Sequence, residues 1–417
     1  MTRPYSHVLK IARRTAAAGV AVGVVAALAS AMTPARAQED PIYFGGSLCT
    51  TGIQAPLDVP TLEGARLAVQ ALNEQGGLLG RDVKFRNLDG KSDPPTVRNN
   101  AEQLIADGAD FIVAPCDFDF GGSAQRAAQQ NGIVGMSTCG SSPKHGSATL
   151  GDMQFTMAMW NTVMGAAAAE YAYNEQGWDS AYVVTDTFID YTTTLSKYFI
   201  EHFETLGGEI IHESEYTQGS GDFSAQLSTM KDKLQGREVD LIFISSYQPD
   251  LSMIIRTIRQ AGIDAPVVGG DSYDDPGLWD ALGTKFGNDV YFATHSYMKE
   301  GVAPGMDDFL ERYEAAHGER PKTSFVATGW DTVMSMAEAA RIAGTTEGKA
   351  VAKALEENNF ELLTGTMDWT SADTGHQPLK SVAMVELQDA TTSFIGWRTP
   401  SNVPTPPYLK QWMKRQE

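Results

Sequence analysis

The residues best suited to chemistry gather just after short apolar runs. Cys116-Asp117-Phe118-Asp119-Phe120 follows Phe111–Ala114, and Gly140, Ser141 and Ser142 follow Ile133–Ser137. Tyr191 lies shortly after Ala181–Thr185, Tyr247 and Gln248 follow Val239–Ser245, and Asp271 and Tyr273 follow Pro266–Gly269. Gly, Ser, Thr, Asp and aromatics at such exits suit a small polar ligand held by side chains and helix N-termini. Ordinary caps and turns favour Gly, Ser and Asp as well, but they do not call for Phe118, Phe120, Tyr191, Tyr247 and Tyr273.

Motifs for catalysis are missing. Gly344-Thr345-Thr346-Glu347-Gly348-Lys349 is one residue short of a phosphate-binding loop and runs on into Ala350. There is no G-x-S-x-G elbow and no H-E-x-x-H, Gly45-Gly46 opens no dinucleotide fingerprint, and the seven histidines are scattered. Asp117 with Asp119, or Asp274 with Asp275, falls short of a calcium cage, so neither a metal nor a cofactor is expected. The chain reads as a binder rather than an enzyme.

Between these exits the mature chain alternates strand and helix. Strands are expected at Ile42–Leu48, Val83–Leu88, Phe111–Ala114 and Ile133–Ser137, with helices at Leu62–Leu72, Pro95–Ala106 and Gly122–Gln130 between them. After a break at Gln154–Met157 the rhythm resumes through helices 161–175, 191–206, Phe223–Leu234 and Leu251–Gln260. Further helices are expected near 305–317, 325–343 and 347–357, then strands near 363–368, 380–387 and 393–397. Such alternation implies an α/β fold of two doubly wound, mostly parallel sheets covered by helices on both faces. No Pro/Gly/Ser-rich linker separates the halves, while residues 398–417 read as an extended Pro-rich tail.

The first 37 residues read as an address. Lys10, Arg13 and Arg14 precede the apolar run Ala16–Ala31, and Ala35-Arg36-Ala37 offers a cleavage signal. The expectation is a signal peptide cleaved after Ala37 and an exported, periplasmic protein. That segment holds basic residues and no acidic ones, while the whole chain carries a net charge of −20. So acidic a surface repels phosphate backbones and anionic lipid, which argues against nucleic-acid or membrane-surface partners. In an oxidising compartment, Cys49, Cys116 and Cys139 can form one internal bridge and leave one thiol. Neighbouring strands 111–114 and 133–137 bring Cys116 and Cys139 within bridging reach; Cys49–Cys116 is the rival pair.

Order and spacing then carry a resemblance. Leu62-Glu63-Gly64-Ala65-Arg66-Leu67-Ala68-Val69 with Leu72-Asn73-Glu74-Gln75-Gly76-Gly77-Leu78-Leu79-Gly80-Arg81 looks like the opening helix and turn of leucine-type periplasmic solute-binding proteins. Asp89-Gly90-Lys91-Ser92-Asp93-Pro94, Gly132-Ile133-Val134 leading to Ser142-Pro143, Tyr191 and Asp222-Phe223-Ser224 are similar as well, and the likeness spans about residues 41–397. It implies a type I periplasmic binding fold, two lobes joined by a three-crossing hinge that close on a ligand, and delivery to the permease subunits of an ABC importer. One lobe would be 41–156 plus 294–366 and the other 157–293 plus 367–397, in a chain expected to be monomeric. The ligand contacts implied are Asp117, Phe118, Gly140, Ser141, Ser142, Tyr191, Tyr247 or Gln248, Asp271 and Trp330. In amino-acid binders of this kind, the acidic residue at the Asp271 position holds the α-amino group, and first-lobe N–H groups and hydroxyls hold the carboxylate.

Asp117 departs from the family's small hydroxyl residue at that place. A carboxylate beside a bound carboxylate raises one pKa or repels the ligand. Trp160 and Trp330 add flat surface that favours cations and aromatic rings, although a helical Trp is more often core. Two ligand classes stay open: an ordinary amino acid or small amide, and a compound of cationic or aromatic character, towards which Asp117 tilts the reading. The bland alternative turns Asp117 away to cap the helix near 122. Two other functions remain in play, a secreted two-domain enzyme and a ligand-sensing receptor domain of the same fold. The enzyme lacks a nucleophile–base pair, and no apolar span follows residue 397 to anchor a receptor.

Overall fold

The computed structural model describes residues 40–415. The signal peptide expected over 1–37 lies outside the described residues. Among those residues, no helix is long and apolar enough to cross a membrane.

The first sheet has five strands, β1 (Ile42–Gly46), β2 (Val83–Asn87), β3 (Phe111–Ala114), β4 (Val134–Ser137) and β5 (Gln154–Thr156). They pair in the order β2-β1-β3-β4-β5, every pair parallel. β1, β3 and β4 are buried at every position, as strands covered by helices on both faces must be. β5 falls in the stretch expected to be a break: three residues are too few to show a period, and Gln154 interrupts the apolar run.

One cover of this sheet is the helix Ala55–Glu74, crossed by the helix Phe325–Ala343. A Cβ on Gly64 would lie 1.9 Å from the Val326 carbonyl oxygen, and one on Gly329 would lie 1.9 Å from that of Thr61. The two backbones therefore touch, and only glycine fits at either position. The first helix begins seven residues before its expected start at Leu62. Pro56 occupies its first turn, where the missing N–H costs nothing.

The second sheet begins with five parallel strands, β6 (Ser180–Asp186), β7 (Glu209–Tyr216), β8 (Leu241–Ser245), β9 (Val267–Gly269) and β10 (Val290–Thr294). The chain next forms a small antiparallel sheet of β11 (Phe360–Leu362), β12 (Gly365–Trp369) and β13 (Pro378–Leu379). It then returns as β14 (Val382–Gln388) and β15 (Thr391–Arg398), antiparallel additions that complete the order β15-β14-β10-β9-β8-β6-β7.

Three stretches carry the chain between the large sheets: after β5, after β10, and at Lys380-Ser381. The third lies later than the handover expected at 366, which falls inside β12. Trp369 of β12 packs edge-on against Phe155 with centroids 5.8 Å apart, and its indole N–H donates to the Thr156 carbonyl at 2.9 Å. That buried contact keeps 367–379 with the first sheet. The crossings also hold one another. Lys380 Nζ, fully buried, donates to Met157 O at 3.3 Å and Thr364 Oγ1 at 2.7 Å.

The last segment is not simply extended. Pro406 and Pro407 lead into a helix, Pro407–Met413, whose Leu409 is buried against Gly375. Gly375 has φ of 107°, a left-handed conformation that glycine adopts at no steric cost.

Candidate functional site

The exits of β3, β4, β6, β8 and β9 meet where the two large sheets face each other. Asp117 is the N-cap of the helix Phe118–Gln130, but its carboxylate makes no capping bond. Gln54 Nε2 donates to its Oδ2 at 2.6 Å, and Tyr247 OH of the other lobe lies 3.1 Å from the same oxygen. The Asp117 N–H in turn donates to Gln54 Oε1 at 3.2 Å. The helix starts at 118, four residues before its expected start, and the capping alternative is overturned because Gln54 and Tyr247 take the carboxylate instead. Burial, reinforced by the nearby charges of Asp119 and Asp271, pushes the Asp117 carboxyl up to about 8. The shift favours the protonated, neutral form at pH 7.

Asp271 opens a short 3-10 turn after β9 and is buried. Ser141 Oγ of the first lobe donates to its Oδ2 at 3.1 Å. The same oxygen lies 2.9 Å from Nε2 of His295, which follows β10 directly and is fully buried. Tyr191, in the first turn of the helix Asp190–Leu206, accepts from the Ser272 N–H at 3.3 Å through its phenolic oxygen. Its ring lies 5.2 Å from that of Tyr247. Burial, then the charge of Asp271, raises the Tyr191 phenol well above its usual range, so it stays a neutral donor.

Gly140 has no room for a side chain: a Cβ would lie 2.0 Å from His145 Nε2 and 2.4 Å from the Cys116 carbonyl oxygen. Ser142 donates to Asp190, the residue that also receives Lys144, and the Asp190 N–H donates to Asp119 Oδ2 at 3.0 Å. Both lobes therefore contribute to this clasp, and the Ser142 hydroxyl is committed to it. Phe118 lies close by, only partly buried, with Lys144 and Arg126 over its ring at 5.5 and 5.2 Å.

Trp330 is not brought to this place. It packs against Phe309 at 5.3 Å and lines a separate cavity of about 290 Å³ with Arg312 and Met334. The contact of Gly329 with the helix Ala55–Glu74 fixes which way the neighbouring Trp330 faces. Trp160 is buried at the first crossing, over Gly146.

Cys116 and Cys139 are joined in a disulfide with Cα atoms 4.5 Å apart, and Cys49 is a buried free thiol. Behind them lies Asp58, for which the sequence offered no signal. It is fully buried, and its two oxygens accept the N–H groups of Cys49 at 2.7 Å and Cys116 at 3.0 Å. Burial pushes it up to about 7. Gln54 and His295 were missed as well. Gln54 lies two residues beyond the exit read for β1, and His295 follows a strand whose exit leads into a crossing. Among the described residues, no group of three or more His, Cys, Asp and Glu is placed to hold a metal ion.

Comparison with known proteins identifies the family. Residues 41–392 match the family described as periplasmic binding protein. The chain is 24% identical over 375 residues to Leu/Ile/Val-binding protein homolog 1 of Brucella melitensis, an alignment covering 86% of this chain and 92% of that one. A crystal structure of a leucine-binding protein from Thermotoga maritima superimposes with a TM-score of 0.77 at 25% identity, covering 86% of this chain and 99% of that one. A branched-chain amino acid transporter substrate-binding protein from Streptococcus pneumoniae, solved with isoleucine, gives 0.78 at 23% identity, covering 87% and 100%. The chain belongs to the periplasmic binding protein family, as a leucine-type member with the two α/β lobes of a type I fold.

Proposed function

We propose that this protein is the exported solute-binding component of an ABC importer, and that it captures one amino-acid-like molecule between its lobes without altering it. The observation that carries the reading is the meeting of Ser141 and Asp271, a hydroxyl and a carboxylate from opposite lobes, 3.1 Å apart in a buried site. A carboxylate there suits an ammonium group, and the Ser141 hydroxyl suits a carboxylate. Tyr191 and Tyr247 provide apolar ring surface beside them. The relatives' names, which cite leucine, isoleucine and valine, support an aliphatic side chain.

Asp117 fits that reading better than its residue type suggests. Held protonated, it adds no second negative charge and does not repel a ligand carboxylate. A second reading, a ligand with a further cationic group, is favoured by Asp117 and Asp271 sharing one buried site, since a cation would stabilise the ionised form of Asp117.

A thermal-shift screen at pH 6 and pH 9 with L-leucine, L-isoleucine, L-valine, L-phenylalanine, L-arginine and putrescine separates the two. Binding at ~100 times Kd stabilises by about 2.7 kcal/mol, which gives a readable rise in Tm. The main reading expects an aliphatic amino acid to give the largest shift at pH 6. Arginine or putrescine in first place, more so at pH 9, would establish the second. No shift with any of the six would remove the amino-acid assignment.

A further inference from the structure

His295 is a neutral ring in an exacting place. It begins the second crossing, immediately after β10, and is fully buried with its edge against Phe325 at 5.6 Å. Its Nε2 lies 2.9 Å from the Asp271 oxygen that also receives Ser141 from the first lobe. The angle of that approach falls outside hydrogen-bond geometry, and neither ring nitrogen has a hydrogen-bond partner among the described residues. The charged groups facing it are Asp271 from the turn after β9 and Lys380 from the third crossing. Asp274 reaches the neighbouring Thr294, whose Oγ1 donates to its Oδ2 at 3.0 Å. One side chain on the hinge thus touches the carboxylate at which the lobes meet.

We propose that His295 is a positioning residue of the ligand site: from the hinge side it holds the Asp271 carboxylate in the orientation in which the opposite lobe and the ligand's ammonium group meet it. This rests on the assignment of Asp271 to the ligand. The imidazole must be neutral for the role, because an imidazolium would compete with the ligand for Asp271. Burial lowers its pKa, against the pull of Asp271 in the other direction, which keeps it neutral in the working range. A neutral ring 2.9 Å away needs only a small turn to donate from Nε2 and fix that one carboxylate oxygen.

Two measurements test this. Histidine-ring 15N NMR of the ligand-free protein should show His295 uncharged from pH 8 down to pH 6, and Asp271→Asn should lower its midpoint further by removing the charge that favours imidazolium. A midpoint near 6.5, or one that Asp271→Asn does not move, overturns the proposal. The second is calorimetry with L-leucine, L-phenylalanine and L-arginine on folded variants. His295→Leu should weaken the best of the three at least tenfold, and His295→Gln, which keeps a donor, should stay within threefold of wild type. In the Asp271→Asn background, His295→Leu should add less than twofold. Losses that multiply instead show two independent sites and overturn the positioning role. If none of the three binds wild type, or Asp271→Asn binds as wild type does, the ligand assignment falls, and the NMR result alone decides what holds Asp271.

Discussion

Asp117 shows how environment sets the meaning of a residue. The sequence places a carboxylate where the family has a hydroxyl, and two carboxylates in a closing site suggested a cationic ligand. Burial reverses the premise, because a protonated Asp117 is again a small neutral hydroxyl-bearing group. Its pKa is higher folded than unfolded, so the folded state holds the extra proton between about pH 4 and pH 8. Stability therefore falls as pH rises through that window and levels off above it. Asp58 and other buried acids tilt the wild-type curve the same way, so the test is a difference. Asp117→Asn, which cannot ionise, should gain stability relative to wild type from pH 5 to pH 8 in urea titrations; a parallel pair of curves would show Asp117 ionised throughout. Trp330 carries the opposite lesson. Its direction depends on Gly64 and Gly329, which bring two helices into backbone contact, and no local pattern reveals that. Trp330→Ala should cost about 2 kcal/mol, less than the ~3–5 of a fully buried aromatic, yet change ligand affinity less than twofold by calorimetry.

Strand exits were the readable part of the elements. Alternating period places β3 and β4 in one sheet and β6, β8 and β9 in the other, and within each parallel sheet the exits share one edge; that the two edges face each other, grouping Ser141 with Tyr191, Tyr247 and Asp271, came from the family resemblance. Helix starts were harder to see. The helix Phe118–Gln130 opens with Phe-Asp-Phe-Gly-Gly, whose glycines read as a turn, although a Cβ on Gly121 would lie 2.2 Å from the Pro115 carbonyl oxygen and the glycine is needed for packing. At the element scale the clasp of Lys144 and Ser142 on Asp190 is the contact most open to test. Lys144 is nearly half exposed, with its side chain at 44%, and such pairs contribute about 0.2–1 kcal/mol. Lys144→Met should shift the ratio of closed to open forms by up to about fivefold, seen as a larger radius of gyration in ligand-free X-ray scattering; an unchanged radius would show that the clasp does not hold the lobes. The disulfide is tested at this scale too. Non-reducing peptide mapping should recover Cys116 linked to Cys139, with Cys49 alkylated only after denaturation.

For the whole molecule, the alternating pattern gave two α/β halves without a linker, and the hinge between them came from the family resemblance. The third crossing could not be placed from sequence, because β12 and β13 are short antiparallel strands held by the buried Trp369, and nothing local distinguishes them from the strands that follow. In the function proposed for this protein, ligand capture depends on a buried carboxylate, Asp271, brought to the first lobe by closure. Calorimetry of Asp271→Asn against wild type tests it most directly, using the amino acid that gives the largest thermal shift and recovering that ligand afterwards. The expected result is one site per chain, a loss of about 2–5 kcal/mol in the variant, and ligand recovered unchanged. Binding by Asp271→Asn within threefold of wild type, or a chemically altered ligand, would contradict it.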